Sequence, residues 1–91
     1  MNFSKRIGDV ELRSCSESFD QEGEHTTAQI VEWHSGGSIN RTLAYWKLDK
    51  NGYYLVFSWD KPFNVNRKVF INLASLGQNI LDYSKYIIED L

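Results

Sequence analysis

The spacing of apolar residues changes at the chain's one proline, Pro62. Before it, apolar and polar positions tend to alternate; after it, apolar positions recur at steps of three and four. The first spacing is that of strands and the second that of a helix. Ile7 to Arg13 sets Val10 and Leu12 against Asp9, Glu11 and Arg13. That predicts a short, charged strand suited to a sheet edge. Thr26 to His34 is rich in β-branched residues and includes Trp33, which predicts a second strand. Arg41 to Leu48 predicts a third, with Ser35-Gly36-Gly37-Ser38 as the turn, because glycine supplies positive φ at little steric cost. Two registers suit this hairpin. One sets Glu32 opposite Arg41; a loop one residue longer sets Ala28 opposite Trp46 and Ile30 opposite Ala44.

Asn51-Gly52 predicts the next hairpin, since both residues tolerate a type I′ turn. Leu48 then faces Leu55, Trp46 faces Phe57 and Ala44 faces Trp59. The other face carries Leu43, Tyr45, Lys47, Tyr54, Val56 and Ser58, an apolar set for a face meant only for water.

Beyond Pro62, Val69, Leu73, Leu76, Ile80, Tyr83 and Ile87 line up on one side of a predicted helix from Asn66 to Glu89, capped by Asn64 or Asn66. Its apolar arc spans roughly 180°, wider than an ordinary surface helix requires. Ile71 falls on the polar side with Arg67, Ser75, Gln78 and Asp82, and the pattern offers no reason for it. The expected architecture is α+β: a single domain over residues 1–91, with a four-stranded antiparallel meander followed by one long C-terminal helix packed on the sheet (ββββα).

The stretch from Ser14 to Glu24 interrupts this pattern. It is rich in serine and carries Glu17, Asp20, Glu22 and Glu24 with no base, which predicts a loop. Together with Glu11 these acids form a negative surface that a basic partner could meet.

Composition narrows the function classes. Ninety-one residues fit one domain, and 42% hydrophobic with 14% aromatic residues fits a folded chain rather than a disordered one. Ten Lys and Arg against twelve Asp and Glu give a net charge of −2, so a strongly basic nucleic-acid binder is not the first reading. The single cysteine, Cys15, forms no internal disulfide, which fits a reducing compartment. No apolar core follows Lys5-Arg6 as in a secretory signal, and no apolar run is long enough to span a membrane; the expected location is cytoplasmic.

Chemistry is sparse. Cys15 with His25 or His34 would be the only thiol–base pair, and the same three residues match no zinc spacing. Asp20-Gln21-Glu22-Gly23-Glu24 lacks the calcium-loop pattern, and Gly36-Gly37 leads into a strand where a phosphate loop needs a helix. No catalytic residue, metal or cofactor is therefore expected, and the chain is not expected to be an enzyme.

Three surfaces remain. Tyr45, Lys47, Tyr54 and Val56 form a candidate aromatic patch on the sheet, provided Phe3 or Phe19 does not cover it. Lys61, Arg67 and Lys68 stand at the helix entrance, where backbone N–H groups favour an anion. The helix seam is wide enough to meet a second copy. The expected function is a small protein-interaction module, an adaptor or inhibitor of the compact kind found in phage and mobile elements, using the aromatic patch and the acids Glu17, Asp20, Glu22 and Glu24. The order of four strands and then a helix is similar to that of single-stranded-DNA-binding coactivator and Whirly-type domains. This resemblance implies single-stranded nucleic acid as the alternative ligand, with Arg41, Lys47, Lys61, Arg67 and Lys68 as the cations.

Overall fold

The computed structural model describes residues 2–19, 23–58 and 65–89; within the strands and helix, the side chains of 16–19, 23–26 and 84–89 are left aside. Five antiparallel strands, β1 (Ser4–Ile7), β2 (Val10–Phe19), β3 (Gly23–Trp33), β4 (Ile39–Asp49) and β5 (Gly52–Phe57), follow one another across a single sheet in chain order. One helix, α1 (Arg67–Glu89), follows. The fold is thus the expected α+β meander with a C-terminal helix, with five strands in place of four.

The extra strand comes from splitting the first predicted one. Ile7 pairs with Val10 across a two-residue turn, Gly8-Asp9. Gly8 holds φ 62°, the positive value that a turn with glycine first requires. The predicted acidic loop is also corrected. Ser14 to Phe19 and Gly23 to His25 are strand, paired from Ser14↔Ala28 through Glu17↔His25 to Phe19↔Gly23. Polar alternation without apolar anchors reads as loop, yet a hairpin ladder continues outward wherever its inner end is fixed by packed pairs such as Leu12↔Ile30.

Both registers considered for the β3–β4 hairpin are present. Ile30 pairs with Ala44, then the ladder shifts and Glu32 pairs with Arg41. The β-bulge between them displaces Leu43 from the face expected of it. Leu43 is fully buried and joins Ala44 in the core. The β4–β5 turn also moves. Asp49 pairs with Gly52, so Lys50-Asn51 form the turn, and Trp46 faces Leu55 rather than Phe57. The Asp49 carboxylate accepts the Asn51 backbone N–H at 2.8 Å, which favours this earlier turn. The shift is by two residues in pairing, so the side chains from Ala44 to Phe57 in this hairpin keep their predicted faces.

Helix α1 covers one face of the sheet. Phe70, Leu73 and Leu81 are buried with Val10, Leu12, Ala28, Ile30 and Trp46. Asn66 is the cap: its Oδ1 accepts the N–H groups of Lys68 at 2.9 Å and Val69 at 3.3 Å. At the middle of the contact, Trp46 donates from Nε1 to Gln78 Oε1 at 2.8 Å, and Gln78 Nε2 donates to the Tyr53 carbonyl at 2.9 Å. Gln78, expected on the water side, therefore ties helix to sheet. Burial raises the Tyr53 phenol above its ordinary pKa. The expected helix seam is only partly sealed: Leu73 is buried, but Leu76 is 39% and Tyr83 65% exposed.

Candidate functional site

The sheet face away from the helix brings the four predicted patch residues together. Residues opposite one another across antiparallel strands share a face. Tyr45 pairs with Val56 and Lys47 with Tyr54, so the four form one block at the β4–β5 border. Tyr54 is 43% exposed, Lys47 is exposed, and Tyr45 and Val56 are half-buried. Lys47 Nζ lies 5.8 Å from the Tyr45 ring centroid, within cation–π range. Phe3 does not cover this block; it packs against the core on the helix side. The side chain of Phe19 lies outside the described residues.

The same face holds a second cluster that the sequence pattern did not reveal. Arg6 pairs with Glu11, and Glu11 with Val31. The Arg6 guanidinium sits 5.0 Å from the Trp33 ring, and Trp33 Nε1 donates to Glu11 Oε1 at 3.2 Å. Val31, between Glu11 and Thr42 in the ladder, is fully buried even though it points away from the helix. Between the clusters, Gln29 pairs with Arg13 on one side and Tyr45 on the other. The only signal in the sequence was the spacing of Arg6, Glu11 and Trp33, which has meaning only once the Gly8 turn sets the register. The face thus carries Trp33, Tyr45 and Tyr54 with Arg6, Arg13 and Lys47, and Glu11 is engaged by Trp33.

The other predicted site residues are dispersed. Glu17 pairs with His25 and Glu24 with Ser18 in the outer part of the β2–β3 hairpin. There, β1 has ended at Ser4↔Arg13 and the β4 ladder at Gln29↔Tyr45, so this part is a two-stranded ribbon. Asp20, Glu22 and Lys61 lie outside the described residues. Arg67 and Lys68 are exposed at the start of α1, but the Lys68 and Val69 N–H groups that an anion would use are already held by Asn66. Nearby, a cleft of about 250 Å³ is lined by Ile7, Asp9, Val10, Glu32, Asn66 and Val69. Its Glu32 carboxylate is bound by Arg41 Nε at 3.1 Å and Asn40 Nδ2 at 2.8 Å.

Cys15 pairs with Thr27, whereas His34 lies seven residues on, just past the end of β3. At 3.3 Å per residue that is about 23 Å, far beyond proton-transfer reach. Among the described residues, no three His, Cys, Asp or Glu side chains gather as a metal site would require, and no helix is long and apolar enough to cross a membrane. The chain matches no family model, and neither a curated protein nor a solved structure is significantly similar to it.

Proposed function

We propose that the chain is a non-enzymatic protein-interaction module, an adaptor or inhibitor, whose working surface is the sheet face opposite the helix. The observation that supports this most is the adjacency of Tyr45, Val56, Tyr54 and Lys47 on a face that the helix leaves uncovered. Tyrosine gives contact area at low entropic cost and a polar tip, which suits a protein interface. The cations Arg6, Arg13 and Lys47 on this face fit a partner whose apolar patch has an acidic rim. The ribbon bearing Glu17 and Glu24 adds acids at a distance that steer a partner's basic regions.

Single-stranded nucleic acid is the second reading, favoured by the same mixture of aromatics and cations on one sheet face. Base stacking needs open ring faces. Here Arg6 already lies over Trp33 and Lys47 over Tyr45, which supports the protein reading instead. Affinity capture of the full chain from its native cell, with and without nuclease, separates the two. The protein reading expects a partner that survives nuclease. Loss of the partner on nuclease treatment, with retardation of single-stranded DNA at low salt, would replace it with the nucleic-acid reading.

A further inference from the structure

Asn51-Gly52 predicts the β4–β5 hairpin, yet the two residues do not form its turn together. Lys50-Asn51 do, and Gly52 closes the ladder opposite Asp49 with φ 120°. The pair is left with a chemistry that the fold does not use. Asparagine is among the chemically labile residues: the backbone nitrogen that follows it attacks its side-chain amide carbon and closes a five-membered imide. Glycine hinders that attack least, because no β-carbon stands beside the nitrogen. Asn51 alone among the asparagines of the chain precedes glycine. Asp49, Lys50 and Asn51 are exposed, and the Asn51 side-chain amide makes no hydrogen bond among the described residues. Other asparagines are restrained. Asn40 Nδ2 donates to Glu32 at 2.8 Å, and Asn66 Oδ1 caps the helix. Asn72 and Asn79 lie inside α1, where the next N–H is bonded within the helix. The Phe3 N–H, which follows Asn2, donates to Ser14 Oγ at 2.9 Å.

The attacking nitrogen is guarded. The Ser58 N–H donates to the Leu43 carbonyl at 3.2 Å, so alternation along β4 turns the backbone of Asp49, six residues on, towards Gly52. That closing pair must open before the Gly52 nitrogen swings to Asn51 Cγ. The Asp49 carboxylate restrains the same end by accepting the Asn51 N–H at 2.8 Å. Hairpin ends open locally at small cost. We propose that Asn51 is a site of spontaneous deamidation, gated by opening of the β4–β5 turn. Hydroxide removes the Gly52 amide proton and the nitrogen bonds to Asn51 Cγ. The Cγ–Nδ2 bond then breaks, and ammonia leaves with a proton from water that restores the hydroxide. A second water opens the imide at either carbonyl, giving aspartate or isoaspartate. Either product adds a negative charge two residues from Asp49. Isoaspartate also routes the main chain through a side-chain methylene, which lengthens the turn. Leu48↔Tyr53 and Lys47↔Tyr54 are the next pairs inward, so the change loosens the hairpin that carries the outer block. The proposal rests on the chemistry of the turn alone, whatever binds that face.

Ageing the full chain across a neutral-to-alkaline pH series tests it, with peptide mass mapping and labelling by an isoaspartyl methyltransferase. The peptide holding Asn51 is expected to exchange amide for acid before any other, at a rate proportional to hydroxide, and to accept the methyl label. Asn51→Gln is expected to lose both signals. Asp49→Ala, shown by circular dichroism to be folded, is expected to speed the reaction about two- to tenfold, the net worth of one hydrogen bond. An Asn51 that stays intact while other asparagines convert overturns the proposal, as does one that stays intact throughout. Equal rates in Asp49→Ala and wild type overturn the gating by the turn.

Discussion

The Trp46 indole lies against Gly77 of the helix, with no room between them for a side chain. A β-carbon built on Gly77 would stand 2.6 Å from Trp46 Cη2 and 2.9 Å from Leu12 Cδ1. Trp46 is buried and held by Gln78, so the ring has no easy retreat. Alanine in place of a helical glycine normally gains up to about 1 kcal/mol. Overpacking a core costs about 1–3 kcal/mol. The clash wins here: Gly77→Ala is expected to lower the urea midpoint, whereas Gly36→Ala, with nothing near its β-carbon and no positive φ, leaves it unchanged.

Gln78→Leu leaves the Trp46 N–H buried without an acceptor and removes the helix's link to the Tyr53 carbonyl. The expected loss is about 1–3 kcal/mol in chemical denaturation. A loss within error would show that the bridge adds nothing beyond packing.

The shift in register between Ile30 and Val31 divides the β3–β4 hairpin. Glu32 and Arg41 lie beyond it, with Nε–Oε1 at 3.1 Å and both side chains mostly buried. A double-mutant cycle with Glu32→Gln and Arg41→Gln is expected to give a coupling of about 0.5–1 kcal/mol. Amide exchange should speed up from Val31 to Arg41 and stay unchanged at Gln29 and Tyr45. Uniform acceleration along the hairpin would mean that the bulge does not separate the two halves.

Burial holds the Tyr53 phenol neutral in the folded state beyond the pH at which it ionises in the unfolded chain. The folded state then keeps a proton that the unfolded state has lost, so stability falls as pH rises above about 10. Tyr53→Phe should flatten that alkaline decline in thermal melts from pH 9 upward.

Much of the fold was legible because several local signals agreed. The alternation around Trp46 and Leu48 defined the core face, the three-and-four spacing from Val69 defined the helix, and Asn66 is one of the two caps expected. Placement of the outer patch survived even a two-residue shift in cross-strand pairing, since strand parity was preserved. Three features were hidden. Leu43 looked outward until the bulge turned it in. The serine-rich segment after Arg13 carries no apolar period, and it is strand because its neighbours fix the hairpin's inner end. The Arg6–Trp33–Glu11 cluster joins residues far apart in sequence, so only the pairing of three strands could bring it together.

The outer face is the account's central claim, and titration of the nuclease-resistant partner tests it most directly. Wild type and the Tyr45→Ser, Tyr54→Ser double variant are compared by calorimetry, with thermal melts confirming that both are folded. Loss of two central interface aromatics predicts affinity at least about 30-fold weaker. Equal affinity for the two proteins would contradict the claim and move the working surface elsewhere on the molecule.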